Sequence, residues 1–151
     1  MTYYPRRPVK SFQDLEVYQK LLAIAVVVVK RIGTRDEGTG DVLSEDQGNI
    51  GSGTIKDLHE CALSLPIKIA AAHSLRFGNT EQAVRILEEI MIGCNKIVVY
   101  LELYRDIYND NKIEIEFFEE QIKNILSTRF KILHLQRSWI KFTPLEIKIK
   151  K

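Results

Sequence analysis

The chain has 151 residues, of which 45% are apolar and 28% are charged, and its formal net charge is +2. This size and composition predict one globular domain with a core of its own and exclude a largely disordered protein. The longest strongly apolar run, residues 21–29, is shorter than the roughly 20 residues of a membrane span, and residues 1–10 lack the apolar region of a signal peptide. We therefore expect a cytoplasmic protein with no membrane partner.

The ends and the body of the chain carry opposite net charge. Residues 1–10 hold three basic and no acidic side chains, residues 141–151 hold four lysines and one glutamate, and residues 11–140 hold 15 basic and 19 acidic side chains. Basic ends of this kind can contact the phosphates of a polyanion without reading its sequence, and they are also common as solubilising ends.

Residues 1–11 are predicted to form an extended basic arm, since Pro5 and Pro8 forbid regular helix there. A first helix is predicted from residue 12 to Gly33, with Ser11 as its N-cap. Its predicted inner face consists of Leu15, Tyr18, Leu22, Ala25 and Val29.

Residues 33–53 contain six of the eight glycines and several acidic residues, which predicts a flexible acidic loop. The acidic residues lack the fixed spacing of a calcium-binding EF-hand loop. No glycine-rich run ends in Lys-Ser or Lys-Thr, as a phosphate-binding loop does. No metal or cofactor is predicted here or elsewhere in the chain.

A second helix is predicted over residues 54–77, with Pro66 inside it. Its predicted inner side consists of Ile55, Leu58, Ala62, Leu65, Ile69, Ala72 and Leu75. Asn79 and Gln82 then have the spacing of a capping box, which predicts the start of a third helix.

The third helix has the most regular pattern in the chain. Its apolar residues repeat at intervals of four and three, as in a heptad seam that keeps one stripe against a partner helix. They are Ala83, Leu87, Ile90, Cys94, Ile97, Leu101, Tyr104 and Tyr108. The polar run at residues 109–111 predicts a tight turn after this helix.

A fourth helix is predicted over residues 113–140, followed by a basic tail at residues 142–151. Its predicted inner face consists of Phe118, Ile122, Leu126, Phe130, Leu133 and Ile140. Short connections between the second, third and fourth helices make neighbours antiparallel. Residues 12–141 are therefore predicted to form an all-α, antiparallel, up-down-up-down four-helix bundle in one domain.

No catalytic constellation stands out among these elements, and no enzyme is predicted. Cys61 and Cys94 are predicted to be small buried residues rather than a disulfide or a metal pair. His59 lies on a different helix face from Cys61, which disfavours a zinc site. His73, among alanines, is predicted to be a packing residue. Trp139 either closes the core or, between basic residues, contacts a nucleic-acid backbone or a partner protein.

One spacing favours an alternative function. Arg129 and His134 form Arg-x4-His on the fourth helix, which resembles the ribonuclease motif of HEPN domains, all-helical dimers with a shared cleft. In that chemistry the arginine holds the scissile phosphate and the histidine acts as general acid or base. Those domains commonly have a polar residue after the arginine, where this chain has Phe130.

Three segments carry a second resemblance. Residues 12–20 read FQDLEVYQK, residues 62–70 read ALSLPIKIA and residues 138–141 read SWIK. They resemble segments of the four-helix-bundle family that includes the 23S rRNA intervening-sequence proteins and the accessory variability determinant (Avd) proteins of diversity-generating retroelements. Lys68 and Ala71-Ala72 depart from the intervening-sequence signature, whereas Trp139 matches the Gly-Trp-Ile-Lys ending of Avd-like members.

The Avd-like resemblance implies a non-enzymatic homopentamer that binds RNA or DNA and a reverse transcriptase, and so supports cDNA synthesis in mutagenic retrohoming. Because many glutamates lie on the same helices, we expect nucleic acid to contact one rim or the tails. A HEPN-type ribonuclease and a purely structural oligomer are the alternatives. The cations suited to phosphate contact are Arg6, Arg7, Lys10, Arg76, Arg85, Lys123, Lys131, Arg137, Lys141, Lys148, Lys150 and Lys151.

Overall fold

The computed structural model describes the backbone of residues 11–33 and 45–142 and the side chains of residues 11–33 and 53–142. A 3-10 turn at Phe12–Asp14 precedes four helices: α1 (Glu16–Arg31), α2 (Glu45–Leu75), α3 (Thr80–Leu103) and α4 (Ile115–Lys141). A π-helical turn, Tyr104–Tyr108, continues α3. The predicted arm, the tail beyond residue 142 and residues 34–44 of the predicted loop lie outside the described residues.

The four helices pack as a square in which each helix contacts the next. Helix α2 lies between α1 and α3, and α4 contacts both α3 and α1. Because the connections from α2 to α3 and from α3 to α4 are short, consecutive helices run antiparallel. The predicted all-α four-helix bundle is confirmed, and the described residues contain no strand.

The stripes of α2 and α3 form the centre of the core, as predicted. The six heptad residues from Ala83 to Leu101 are at most 1% exposed, and the five predicted inner residues from Leu58 to Ala72 are at most 2% exposed. Burial of apolar surface at this density is the main stabilising contribution to the fold. Tyr104 and Tyr108, at the end of the seam, are half-buried.

The inner face of α1 differs from the predicted one. Its buried residues are Val17, Leu21, Ile24, Ala25 and Val28. Leu22, which was predicted inside, is 42% exposed. From residue 21 onward α1 is apolar on two sides, so the spacing allowed two stripes, and packing against α2 and α4 selects one of them.

The inner face of α4 also differs, because part of it is polar. Leu126 and Phe130, predicted inside, are 37% and 60% exposed. The buried polar residues of α4 are Gln121, Thr128 and Gln136. The amide of Gln136 donates to the carbonyl of Val84 at 3.1 Å, which satisfies the buried group. The predicted inner face of α4 was chosen from apolar residues alone, so it could not include these three buried polar residues.

Helix α2 begins at Glu45, well before the predicted start at Thr54. The prediction of a loop over residues 33–53 is therefore wrong for residues 45–53. Glycine lowers helix propensity by about 1 kcal/mol relative to alanine, but it does not forbid helical backbone. Pro66 lies inside α2, as predicted.

Side-chain caps fix two of the helix ends. Ser11 accepts a hydrogen bond from the backbone N–H of Gln13, and Asn79 accepts one from the N–H of Gln82 at 3.2 Å. The side chain of Asn79 also donates to that of Gln82 at 3.1 Å. Both predicted N-caps are confirmed, although the Ser11 cap starts the 3-10 turn.

Candidate nucleic-acid interface

Both ends of the chain adjoin the same end of the bundle. With four antiparallel helices, the starts of α1 and α3 lie beside the ends of α2 and α4. An ion pair between Glu16 on α1 and Lys131 on α4 confirms that these segments are neighbours. Residues 1–10 precede α1 and residues 143–151 follow α4, so both basic segments attach here. We call the half of the bundle formed by residues 11–23, 67–91 and 129–142 the basic end, and its complement the far end.

Charge divides along the bundle in the same direction. The basic end holds eight basic and five acidic residues, whereas residues 24–33, 45–66 and 92–128 of the far end hold seven basic and eleven acidic residues. In the sequence, residues 1–10 and 143–151, which are joined to the basic end, hold six basic residues and one acidic residue. A division of this kind attracts a polyanion to one end and repels it from the other.

The structure brings together some of the predicted cations and separates others. Arg76, Arg85, Arg137 and Lys141 all lie in the basic end, within about two turns of its edge. Lys131 lies in the same half, but its ammonium is paired with Glu16, and this pairing raises its pKa. Arg85 also lies in an ion pair, with its Nη2 2.7 Å from Glu81 Oε1. Lys123 is near the start of α4. The cations at the edge whose charge is not balanced by a carboxylate in this way are therefore fewer than the sequence predicted. Arg6, Arg7, Lys10, Lys148, Lys150 and Lys151 lie outside the described residues.

Arg76 is held in place at the corner where α2 ends. Its Nη1 donates to the carbonyl of His73 and lies 3.1 Å from His73 Nδ1, and its own carbonyl accepts from Thr80 Oγ1 at 2.6 Å. The guanidinium carbon lies 4.2 Å from the centroid of the Phe77 ring. The buried residue His73 therefore restrains the guanidinium, while the buried residue Thr80 restrains the backbone of Arg76.

A second corner lies where α4 ends. The Nζ of Lys141 is 5.9 Å from the centroid of the Phe142 ring, and the backbone N–H of Phe142 donates to the carbonyl of Ser138 at 3.1 Å. Trp139, one turn before, is half-buried and packs against the core. Of its two predicted roles, core closure is the one that this packing supports.

His73 should make the folded state sensitive to acid. Burial first, and then the charge of Arg76, lower the pKa of His73 below its ordinary value of 6.5. As the pH falls through 6.5, His73 in the unfolded chain takes up a proton before His73 in the folded chain does. The contribution of neutral His73 to the free energy of unfolding is therefore present above pH 6.5 and is lost as the pH falls. We expect the urea midpoint to fall from about pH 7 to about pH 5 more steeply in the wild type than in His73→Gln. Equal slopes would contradict this.

The two residues of the alternative nuclease motif point to different sides of α4. Five residues along a helix correspond to about 140° of rotation. Arg129 Nη1 donates to the side chain of Asn95 on α3, whereas the ring of His134 stands edge-on against Phe130, with centroids 4.5 Å apart. Within one subunit, therefore, they do not line a common cleft.

The two cysteines are poor candidates for thiolate chemistry. Burial raises the pKa of the Cys94 thiol to about 12 and that of Cys61 above its usual value. Cys61 Sγ lies 3.5 Å from the carbonyl oxygen of Gly93. Both thiols are free, and Cys94 is buried as predicted, while Cys61 is half-buried.

A shallow groove of about 310 Å³ runs between α2 and α3. It is lined by side chains of both signs, and Lys68 lies 3.7 Å from Glu89 across it. Since its cations are balanced by carboxylates, this groove has no clear preference for an anion.

Among the described residues, no three His, Cys, Asp or Glu side chains are grouped to hold a metal ion. None of the helices in that part of the chain is both long and apolar enough to cross a bilayer.

Sequence reasoning missed the two exposed aromatic residues of the basic end. Phe77 is 84% exposed and Phe142 is 79% exposed. Each stands directly after a cation at the end of a helix, and in the sequence Gly78 follows Phe77 and Pro144 comes two residues after Phe142. An aromatic residue at such a boundary has few neighbours to bury it, and this was the available signal.

The fold and this end define an all-helical bundle with a polarised charge distribution. No protein-family model, no curated protein and no solved structure matches the chain.

Proposed function

We propose that this protein is a non-enzymatic, homo-oligomeric accessory protein that binds RNA or DNA through its basic end. The observation that carries the proposal is the division of charge along the bundle, with both basic terminal segments attached to the basic end. Lys and Arg side chains there release the counterions of a phosphate backbone without base specificity. The acidic far end limits contact to one end of the molecule.

Self-association is supported first by an apolar face between α1 and α2. His59 Nε2 lies 2.7 Å from the carbonyl oxygen of Ile32, so this side of α2 is turned toward α1. Leu63 and Ile67 follow His59 at four-residue steps. The first apolar face consists of Leu22 (42% exposed), Val26 (41%), Leu63 (51%) and Ile67 (71%).

A second apolar face lies on the opposite side of the square, along α3 and α4. The hydrogen bond from Arg129 to Asn95 sets the two helices in register. The second apolar face consists of Val99 (54% exposed), Leu126 (37%) and Phe130 (60%), and Ile92 (50%) lines the neighbouring groove between α2 and α3. Clusters of exposed apolar residues in a protein of this size mark interaction surfaces.

Two unlike faces on opposite sides favour head-to-tail contact between copies of the chain. When the first face of one copy meets the second face of the next, the contact is heterologous, and it closes into a ring if the rotation allows. The proposed number of five subunits rests on the Avd-like resemblance.

The proposed protein partner is a reverse transcriptase, and retroelement cDNA synthesis is the proposed context. Both rest on the resemblance of residues 12–20, 62–70 and 138–141 to Avd-like proteins. The polarised bundle is compatible with such a role, because nucleic acid would occupy one end and leave the sides for protein contacts.

Matched removal of charge at the two ends tests the binding proposal. We expect Arg137→Gln with Lys141→Gln to weaken binding of a labelled RNA several-fold at low salt. For each lost phosphate contact, the slope of log K against log salt should flatten by about 0.7. Lys112→Gln with Lys123→Gln removes the same charge from the far end and should leave the affinity within about twofold. Equal losses in the two double variants would refute a basic-end site.

A further inference from the structure

Two exposed aromatic side chains at the basic end indicate the chemistry of the ligand. We propose that Phe77 and Phe142 stack on unpaired bases of a single-stranded nucleic acid, each with a cation beside its ring for the adjoining phosphate. This proposal rests on the proposed function. Among the described residues these are the two most exposed large apolar side chains, at 84% and 79%, and both stand at the end that carries the excess positive charge.

The corner at Phe77 is preorganised for this contact. Arg76 covers part of the ring at 4.2 Å, and the remaining exposure leaves room for a base. The Arg76 guanidinium donates to the backbone carbonyl of His73, a residue that is 6% exposed. Thr80, also 6% exposed, donates to the backbone carbonyl of Arg76 and so holds the main chain at this helix end. Because the fold already restrains the cation, little side-chain freedom is lost when a strand binds.

The corner at Phe142 repeats the same combination on another helix. Lys141 stands 5.9 Å from the Phe142 ring centroid, and the bond from Phe142 N–H to the Ser138 carbonyl holds the residue in the last turn of α4. Helices α2 and α4 are diagonal in the square. With neighbouring helix axes about 8–10 Å apart, the axes of α2 and α4 are about 13 Å apart, and the two exposed rings project outward from them. They therefore suit two different bases of one strand rather than a sandwich around one base.

Stacking of this kind distinguishes single strands from duplexes. Phosphates are equally available in both forms, so the basic residues alone bind either one. Faces of bases are available only where the bases are unpaired, and aromatic side chains stack on them with little sequence preference. The structure thus predicts a preference for single strands that depends on the two rings and not on the cations.

The test compares a single strand of about 16 nucleotides with its duplex by fluorescence anisotropy. In Phe77→Leu with Phe142→Leu, we expect single-strand affinity to fall about tenfold or more, while duplex affinity stays as in the wild type. Phe77→Tyr with Phe142→Tyr keeps both rings and should keep the single-strand affinity. Since both positions are exposed, circular dichroism should show an unchanged fold.

The outcomes separate this proposal from the one on which it rests. If the wild type binds the single strand and the leucine variant binds it equally well, stacking is overturned and the charge-based function stands. An equal loss for strand and duplex would also overturn stacking, because the rings would then act through the fold. If the wild type binds neither probe at low salt, the proposed function fails, and the stacking proposal fails with it.

Discussion

Asn109→Ala should lower the free energy of unfolding by about 3 kcal/mol, the cost of leaving two buried backbone groups without partners. Asn109 is 2% exposed, in the turn between α3 and α4. Its side-chain oxygen accepts from the N–H of Ile113 at 3.0 Å, and its side-chain nitrogen donates to the carbonyl of Ile113 at 2.8 Å. Alanine can do neither, and Ile113 is itself only 8% exposed.

Thermal or urea unfolding by circular dichroism measures this loss, which corresponds to a Tm lower by roughly 6–12 °C. The same turn supplies a matched control. Asn111 has a φ of 60°, a conformation that glycine adopts without strain. Asn111→Gly should therefore leave stability unchanged or slightly higher. A small effect of Asn109→Ala would show that the turn is held by its backbone alone.

Ile67→Glu and Phe130→Glu should each dissociate the proposed oligomer. The two residues lie in the first and second apolar faces, at 71% and 60% exposure in one subunit. A carboxylate buried without a partner at such a contact weakens association by more than about 2 kcal/mol, or roughly thirtyfold. Light scattering behind a sizing column measures the mass. Ile107→Glu is the control, because Ile107 is 58% exposed in the π-turn, outside both faces.

Mixing the two variants distinguishes a head-to-tail ring from other assemblies. Each variant keeps one intact face, and the intact faces are complementary, so an equimolar mixture should form a heterodimer and nothing larger. A symmetric dimer through the second face alone would instead persist in Ile67→Glu and disappear in Phe130→Glu. That outcome would exclude the ring and would direct attention to the dimeric ribonuclease alternative with Arg129 and His134.

The sequence predicted the bundle well where one stripe dominates and poorly where two compete. The third helix has a single heptad seam, so its buried residues followed from spacing alone. Helix α1 is apolar on two sides, and α4 buries Gln121 and Gln136, so contacts between helices decide which side faces inward. Such contacts are long-range and leave no mark in local spacing.

The candidate site was predictable in charge but not in shape. The basic ends of the chain were evident, and an even number of antiparallel helices already requires both termini to lie at one end. The pairing of Lys131 with Glu16 joins residues distant in sequence. The exposure of Phe77 and Phe142 depends on which helix ends lie beside them, and this required the structure.

Crosslinking tests most directly whether nucleic acid binds at the basic end. Ultraviolet irradiation of the wild-type protein with a single-stranded RNA, followed by peptide mass spectrometry, identifies the aromatic residues that contact bases. We expect crosslinks on peptides that contain Phe77 or Phe142. Crosslinks at Tyr104 or Tyr108 of the far end instead, or no crosslinked peptide at low salt, would contradict the account.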